Sequence, residues 1–588
     1  MFELPLAGGE LLAAAEIEAG AIAALTDEVM QIAEQAIEDS AGRTPAKDIE
    51  ARSAKGQFTV RAPRAGPARP ARRERAPHRG DLGQRAHGAR VPRRHRVRDE
   101  ATGATVTLRA TACLAAASAL AAAPSRASPN VPLDDPAYDQ LDQLALVGAL
   151  PPFRGGFVPL TEARLHELAP DAPALPAGWW IRPIGRAALR ATVAKEDARG
   201  YSTAARPRNI AGTLALSCEE QEGRPCGHTL DLAAEIDAAG GYGAWAAGAV
   251  RLGARTGSER DASELAVERA YVNVELGPIA AEVGRDVLAL GPATPTRVGW
   301  SPNAPPLDHL RLSGARPLAL SRRVRASVVY ILGRLAGPQT YPDDLVSIAR
   351  AQVDLYDRVE LGAMQLLQLG GDGAPSFGLW DFVLEHVRRR DPSAGPSDSS
   401  NRRVGLDVAA RIAGLGGARI AYQLMFEDLR KEFASALRHD ADHVLTVQTR
   451  WLTVEWQRTG VRAYEHTPRF TGLTSGGRIV GDSLGPDAHA VFVGGRIAIA
   501  HGVAMPWIEV ARFASDTYEF LNPGPVVRTA RGPAELRFRI GARARVPIGR
   551  DLELAPEAAL EDVERASFVP GARHINAMLR AVLVWRPS

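Results

Sequence analysis

From Leu536 to Val546 every second residue is apolar (Leu536, Phe538, Ile540, Ala542, Ala544, Val546), and four of the five residues between them are arginine (Arg537, Arg539, Arg543, Arg545). A repeat of two is the side-chain period of a β-strand, because successive side chains leave the backbone on opposite faces. A strand with one apolar face and one heavily charged face has two homes. It is either a half-exposed strand of a soluble sandwich or a stave of a barrel with lipid outside and water inside. The number of such runs decides between the two.

The pattern recurs. In Arg403 to Ile412 the apolar set is Val404, Leu406, Val408, Ala410 and Ile412; Tyr271, Asn273 and Glu275 alternate with Val272, Val274 and Leu276; His309, Arg311 and Ser313 alternate with Leu310 and Leu312. Near the end Ile575, Ala577, Leu579, Ala581, Leu583 and Trp585 share one face. Between Trp180 and Trp585 roughly eighteen runs of about ten residues can be marked, separated by Gly, Pro, Asp or charged turns, as a membrane-spanning barrel requires. The expected fold is all-β: a large antiparallel transmembrane β-barrel of about eighteen strands over residues 176–588, preceded by a small N-terminal helical periplasmic element over 128–175.

Composition agrees. A net charge of +3 on 588 residues is too mild to call for a nucleic-acid partner. Tryptophans and tyrosines fall at strand ends (Trp179, Trp180, Trp300, Tyr341, Trp451, Trp456, Trp507, Trp585), as in interfacial girdles. No apolar stretch reaches the roughly 18 residues that a membrane helix needs.

The longest apolar run, Val106 to Ala127, has a positive start at Arg109, an Ala/Leu core from Ala110 to Ala123, and small residues at Ser125 and Ala127. It reads as a signal peptide over 106–127, cleaved before Ser128. Upstream, Thr59 to Arg98 carries thirteen arginines among Pro, Gly and Ala. Such a segment cannot bury enough surface to offset ordering, so residues 1–105 are expected to be a disordered extension, translated upstream of the real start rather than forming a domain. Downstream, Asp134 to Ala149 and Thr161 to Leu168 show helical spacing, with caps expected at Asp134 and Thr161. Signal removal takes Cys113 and leaves Cys218 and Cys226 flanking a polar loop, a plausible disulfide in an oxidising compartment. Their spacing does not suit zinc, and neither a metal nor another cofactor is expected.

The segment Glu268 to Pro317, ERAYVNVELGPIAAEVGRDVLALGPATPTRVGWSPNAPPLDHLRLSGARP, resembles the Wzi capsule-assembly family of outer-membrane proteins. So do DDPAYDQLDQLALVGALPPF with FVPLTEARLHEL near the start, MFEDLRKEF from Met425, YEHTPRFTG from Tyr464 and DSLGPDAHAVFVGGRI from Asp482. The likeness spans roughly Leu133 to Arg586. It implies an eighteen-stranded barrel in the outer membrane that assists the surface attachment and assembly of capsular or other extracellular polysaccharide in lectin-like fashion, in contact with outer-membrane lipid. The sequence does not fix the oligomeric state; a monomer is expected. Two departures stand out. Val287, Leu288, Ala289 and Leu290 occupy positions where the family usually carries tryptophans, and the chain ends Trp585, Arg586, Pro587, Ser588 rather than on an aromatic.

Arginine pairs in bidentate fashion with the carboxylates of acidic sugars. Arg537, Arg539, Arg543 and Arg545 are therefore expected to form a positive ladder on the lumen side, joined by Arg323, Arg325, Arg403 and Arg411. The competing role for each arginine is pairing with a lumen carboxylate such as Glu275, Glu282, Asp286 or Asp407. Arg285 and Asp286 are read as mutual or cross-strand partners. The Pro-constrained loop from Asn303 to Asp308 is expected to fold into the lumen, where Asn303, Asp308, His309 and Arg311 can meet a glycan. No nucleophile elbow, zinc-protease helix or phosphate loop is present, so the expected role is not enzymatic. The alternative is a porin-like channel for anionic solutes, with the lumen either open or plugged by long loops at Gly291 to Pro306 and Gly371 to Ser400, the latter containing a helix-like Phe377 to Arg388.

Overall fold

Alternating strands with one apolar face cannot lie flat in water, and here they close on themselves. The computed structural model describes residues 127–150, 157–168, 178–195, 216, 222, 230–257, 264–292, 295–375, 382–383, 385–386, 400–412, 417–427, 433–466, 469–514, 517–520, 526–529 and 532–587. The expected extension over 1–105, the signal core and the Cys218–Cys226 pairing lie outside these residues. The barrel strands are β1 (Trp179–Lys195), β2 (Leu230–Tyr242), β3 (Ala246–Gly257), β4 (Glu264–Leu276), β5 (Ile279–Asp286), β6 (Leu307–Gly314, continued by Leu318–Ser321), β7 (Val324–Arg334), β8 (Leu345–Leu355) and β9 (Val359–Leu369). They continue as β10 (Asn401–Ile412), β11 (Ala418–Phe426), β12 (Ala441–Gln448), β13 (Leu452–Arg458), β14 (Ala488–Gly495, continued by Ile497–Ile499), β15 (Gly502–Phe513), β16 (Glu535–Pro547), β17 (Leu552–Glu564) and β18 (Arg573–Trp585).

Every neighbour is antiparallel, consecutive strands pair, and β1 pairs with β18 from Ala187 opposite Trp585 to Lys195 opposite Ala577, which closes an 18-stranded cylinder. Short turns such as 243–245, 277–278 and 356–358 gather at one end. Long connections such as 287–306, 335–344, 370–400 and 459–487 gather at the other.

β16 shows how sequence parity becomes two environments. Phe538 and Ile540 are exposed on the outer wall, whereas Arg537 and Arg539 are buried inside it. The same split holds on β4, where Tyr271 and Asn273 are buried and Val272 and Leu276 are exposed. Because the outer band meets lipid, Ile540→Arg near the middle of β16 is expected to destabilise the barrel by about 2–4 kcal/mol. Urea unfolding from liposomes measures this, and an effect below about 1 kcal/mol would contradict a lipid-facing wall. Gly284, in the GRD triplet, sits at φ +140°, and a Cβ there would stand 2.2 Å from the Ala270 carbonyl oxygen. Only glycine lets β5 come that close to β4.

The short-turn rim carries part of the expected aromatic girdle: Trp179, Trp451 and Trp585 are exposed there, joined by Tyr242, Trp245 and Tyr356, which were not expected, with the Trp179 and Tyr242 rings 4.6 Å apart. Three of the expected girdle residues do not belong to it: Trp180 shares the inward parity of Arg182, whose guanidinium lies over its ring. Trp300 is fully buried inside the barrel, and Trp507 shares the inward parity of Glu509 on β15.

The lumen is filled from both ends. Long connections 287–306 and 459–487 bring Leu288, Leu290, Trp300, Tyr464 and Ile479 against inward residues of β7–β12 such as Ile331, Ile348, Leu366 and Val444, forming an apolar plug. At the short-turn end lies the segment with helices α1 (Pro136–Leu146) and α2 (Glu162–Leu168). Asp135, one residue past the expected position, caps α1 by accepting from the Ala137 amide at 2.9 Å, because the Asp134 carboxylate is bound to Arg186 of β1. The segment's Phe157–Val158 pairs with Ala289–Leu290 of the plug. The expected plug from Gly371 to Ser400 is corrected: its described residues 382, 383, 385 and 386 lie against the outer wall. His386 bonds Ser347 at 2.8 Å and Glu385 pairs with Arg402 at 3.0 Å, both partners being outward on their strands.

Candidate saccharide chamber in the lumen

Inward arginines of a barrel must find partners or a ligand, since an unpaired buried charge is costly. Most of them find carboxylates. Arg251 bonds Asp237, Arg269 bonds Asp286 at 2.5 Å, Arg311 bonds Glu282 at 3.0 Å, and Arg350 bonds Asp407 at 2.5 Å. Arg403 is clamped between Glu427 and Asp442, beneath the Tyr464 ring at 3.9 Å.

Several residues singled out from sequence belong to this scaffold. Asp286 is fully buried and also accepts from the Asn130 amide at 2.7 Å, so its partner is Arg269 across the sheet rather than Arg285. His309 is held between the Leu307 carbonyl and Glu282, each at 2.8 Å. The Arg311 guanidinium lies over the Phe157 ring at 4.8 Å. Asn303 does fold into the lumen, as expected of its loop, and donates to the Ile479 carbonyl at 2.9 Å within the plug. Asp308 does not join it. Its parity on β6 sends it outward, where it meets Arg285 at 2.6 Å and Arg334 at 3.4 Å on the outer wall. Val287 to Leu290, the positions of the missing tryptophans, are buried in the filled lumen. Between the loops, Asp344 and Arg469 form a fully buried pair. Burial pushes the Asp344 carboxyl up to about 6 despite the pull of Arg469, and burial draws the Arg469 guanidinium below its ordinary value.

The arginine ladder of β16 divides in two. Arg537 is locked by Glu535 at 2.8 Å under the Phe513 ring, and Arg539 bonds Glu561 at 2.9 Å and Glu509 at 3.2 Å. Beyond Gly541 the wall opens onto a chamber of about 430 Å³, bounded by β13–β18, the 295–302 stretch and helix α1. Arg539, Arg543 and Arg545 all line it. Arg545 reaches Asp139 of α1 at 3.7 Å, and Arg580 on β18 bonds Glu557 at 2.9 Å. Arg543 is exposed to the chamber and has no hydrogen-bond or ion-pair partner among the described residues. Facing these cations, Phe492 and Trp507 form a stacked pair with ring centroids 6.2 Å apart. Asp142 and Glu509 add acceptors.

This volume lies in the range of small-ligand sites, about 300–1,000 Å³. Aromatic faces can cover the apolar faces of pyranose rings, an unpaired guanidinium can fork onto a sugar carboxylate, and the flanking carboxylates can accept from hydroxyls. Sequence reasoning missed Phe492, Trp507 and Arg580 as site residues. The parity of β15 and β18 was available to find two of them, since Trp507 alternates in step with Glu509 and Arg580 lies opposite the face of Ile575 to Trp585.

A family model described as capsule assembly protein Wzi matches residues 202–574. Among solved structures, the chain is similar to Wzi of Escherichia coli, an outer membrane protein involved in group 1 capsule assembly and described as a carbohydrate-binding β-barrel. The identity is 13%, the TM-score 0.56, and the match covers 78% of this chain and 100% of that one. It is also similar to OprD of Pseudomonas aeruginosa (8% identity, TM-score 0.38, 70% of this chain and 96% of that one). A BenF-like porin of Pseudomonas fluorescens matches at 10% identity and TM-score 0.40, over 69% of this chain and 98% of that one. No curated protein matches.

Proposed function

The chain belongs to the family of the capsule assembly protein Wzi, and from that premise we propose that this outer-membrane barrel holds acidic capsular or other extracellular polysaccharide in lectin-like fashion, taking a saccharide unit into the lumen chamber. The observation that carries the reading is Arg543, an unpartnered cation facing the Phe492–Trp507 pair inside a wall whose other arginines are mostly paired. Arg545 and Arg580 assist by widening the positive field. Arg537 belongs to the wall and acts on the glycan only by keeping β16 in register with its neighbours.

Binding of the cell's own acidic polysaccharide fragments to the purified barrel tests this. Arg543→Gln or Trp507→Ala is expected to weaken binding roughly tenfold while leaving the unfolding temperature near that of the parent. Chemical reduction of the sugar carboxylates should produce a similar loss. In cells, deletion of the gene should release polysaccharide from the surface while synthesis continues. Unchanged surface retention, or equal binding by both variants, sinks the reading.

A further inference from the structure

The chamber has one sealed side and one loosely tied side. In outer-membrane barrels the short turns face the periplasm and the long loops face outward. Towards the long loops the chamber is roofed by the 295–302 stretch with Ser483 and Leu484. Gln457 of the wall donates to the Thr296 hydroxyl at 2.8 Å, and the Ser301 amide donates to the Val480 carbonyl at 2.7 Å, so the roof is bonded to the barrel and to the 459–487 connection. Beyond it Leu484, Phe513 and Phe568 close into a buried apolar cluster. Among the described residues, packing of that kind leaves a hydrated polymer no path.

The opposite side is built differently. Its floor is α1, whose Tyr138, Asp139, Asp142 and Gln143 line the chamber and are only half-buried. Asp139 meets Arg545 at 3.7 Å, with 33% and 25% of the two side chains exposed. At that separation the pair is ionic without a hydrogen bond. The Arg545 Nη1 atom is nevertheless buried and bonds no acceptor among the described residues. A guanidinium favours two-point contact with a carboxylate, and Asp139, fixed on its helix, does not supply it. Partly exposed pairs are weak, so a better-placed carboxylate can displace this one.

Given the chamber proposed above, we infer that acidic saccharide enters it from the short-turn side, past α1, and that Asp139 is a latch occupying Arg545 until a sugar carboxylate takes its place. The unit gripped is then one presented on the inner side of the membrane. The exchange turns both Arg543 and Arg545, two residues apart on one face of β16, towards the ligand, and it loosens α1 from that wall. A neutral sugar has no means of making it.

Binding of fragments of the cell's own acidic polysaccharide, native or with their carboxylates reduced, is measured on the full-length mature barrel. Asp139→Asn is expected to tighten the native fragments about fivefold, the scale of a partly exposed ion pair, and to leave the reduced ones unchanged. In an Arg545→Gln background the gain should vanish, as a double-mutant cycle requires of a direct pair. No gain, or a gain that survives in that background as general charge repulsion, overturns the latch. Entry is read with Arg543→Cys and a bulky charged maleimide that does not cross the outer membrane, the parent serving as blank for its own cysteines. Labelling should require permeabilisation of the outer membrane and should quicken when Asp139→Asn is added. Equally fast labelling of intact cells overturns entry from the short-turn side. Should Asp139→Asn fail to fold, the sided labelling decides alone. Equal binding of native fragments by the parent and by Arg543→Gln is a separate result, which removes the chamber and the latch with it.

Discussion

Arg403→Ala is expected to destabilise the filled lumen by about 3–5 kcal/mol, the usual consequence of removing one partner from a buried ion pair. Arg403 Nε stands 2.7 Å from Glu427, its Nη2 binds Asp442, and its Nη1 donates to the Val298 carbonyl at 3.2 Å. Those three acceptors belong to a loop, a barrel strand and the 287–306 connection, so one guanidinium ties the plug to the wall. Its removal strands two buried carboxylates facing each other and leaves a gap beneath the Tyr464 ring. Lysine keeps the charge but lacks the fork, so Arg403→Lys should recover only part of the loss. Urea unfolding of the purified barrel gives the magnitude, and limited proteolysis of 287–306 and 459–487 shows where the loss falls. A cost under about 1 kcal/mol would mean that Arg403 does not hold the plug.

Asn130→Asp is the second large effect. The Asn130 Nδ2 group donates to Glu282 at 2.6 Å and to Asp286 at 2.7 Å, while its Oδ1 accepts from Asn273 at 3.1 Å. An aspartate there replaces the shared donor with a third carboxylate in a buried site. The mutual repulsion and lost hydrogen bonds should cost about 3–5 kcal/mol, enough to release the N-terminal segment from the wall. The segment's other ionic ties, Asp134 to Arg186, Glu162 to Arg182, Asp139 to Arg545, Asp135 to Arg586 and Glu167 to Arg316, each keep at least one partly exposed partner and hold the helical part rather than the Asn130 site. In planar bilayers at neutral pH the parent is expected to pass little current, and the variant to show frequent conducting openings. Identical conductance in the two proteins would show that the segment does not obstruct the lumen. A stable large pore in the parent would favour the channel reading over polysaccharide holding.

These effects bear on what sequence could tell. Period-two runs such as Leu536 to Val546 identify the barrel because lipid and lumen impose opposite demands on alternate residues, and this local rule needs no tertiary knowledge. Parity also placed Arg543 and Arg545 inside. Whether an arginine is free or matched is a different kind of fact. Glu561, which neutralises Arg539, sits on the next hairpin strand and is within reach of pattern reasoning. Asn130 lies 152 positions from Glu282, and Tyr464 lies 166 from the Val298 carbonyl it bonds, so no local signal announces either. The tryptophans failed for a related reason. An indole suits an interface, a plug and a sugar site equally well, and only its parity, or the path of a long loop as for Trp300, separates them. The segment around His386 was expected inside because long loops of barrels often fold inward. Its partners Ser347 and Arg402, outward on their strands, account for its position outside.

The seam between β1 and β18 sets what this cylinder needs in order to close. Ala187 meets Trp585 across nearly four hundred intervening residues of sheet, so neither margin has a mate until the final strand has been synthesised. Before that moment the nascent sheet carries two raw borders of unclaimed amides and carbonyls, which invite pairing with strangers. Closure therefore cannot come before the final strand is present, and a chain cut short of Arg573 leaves a ribbon with nowhere to fasten.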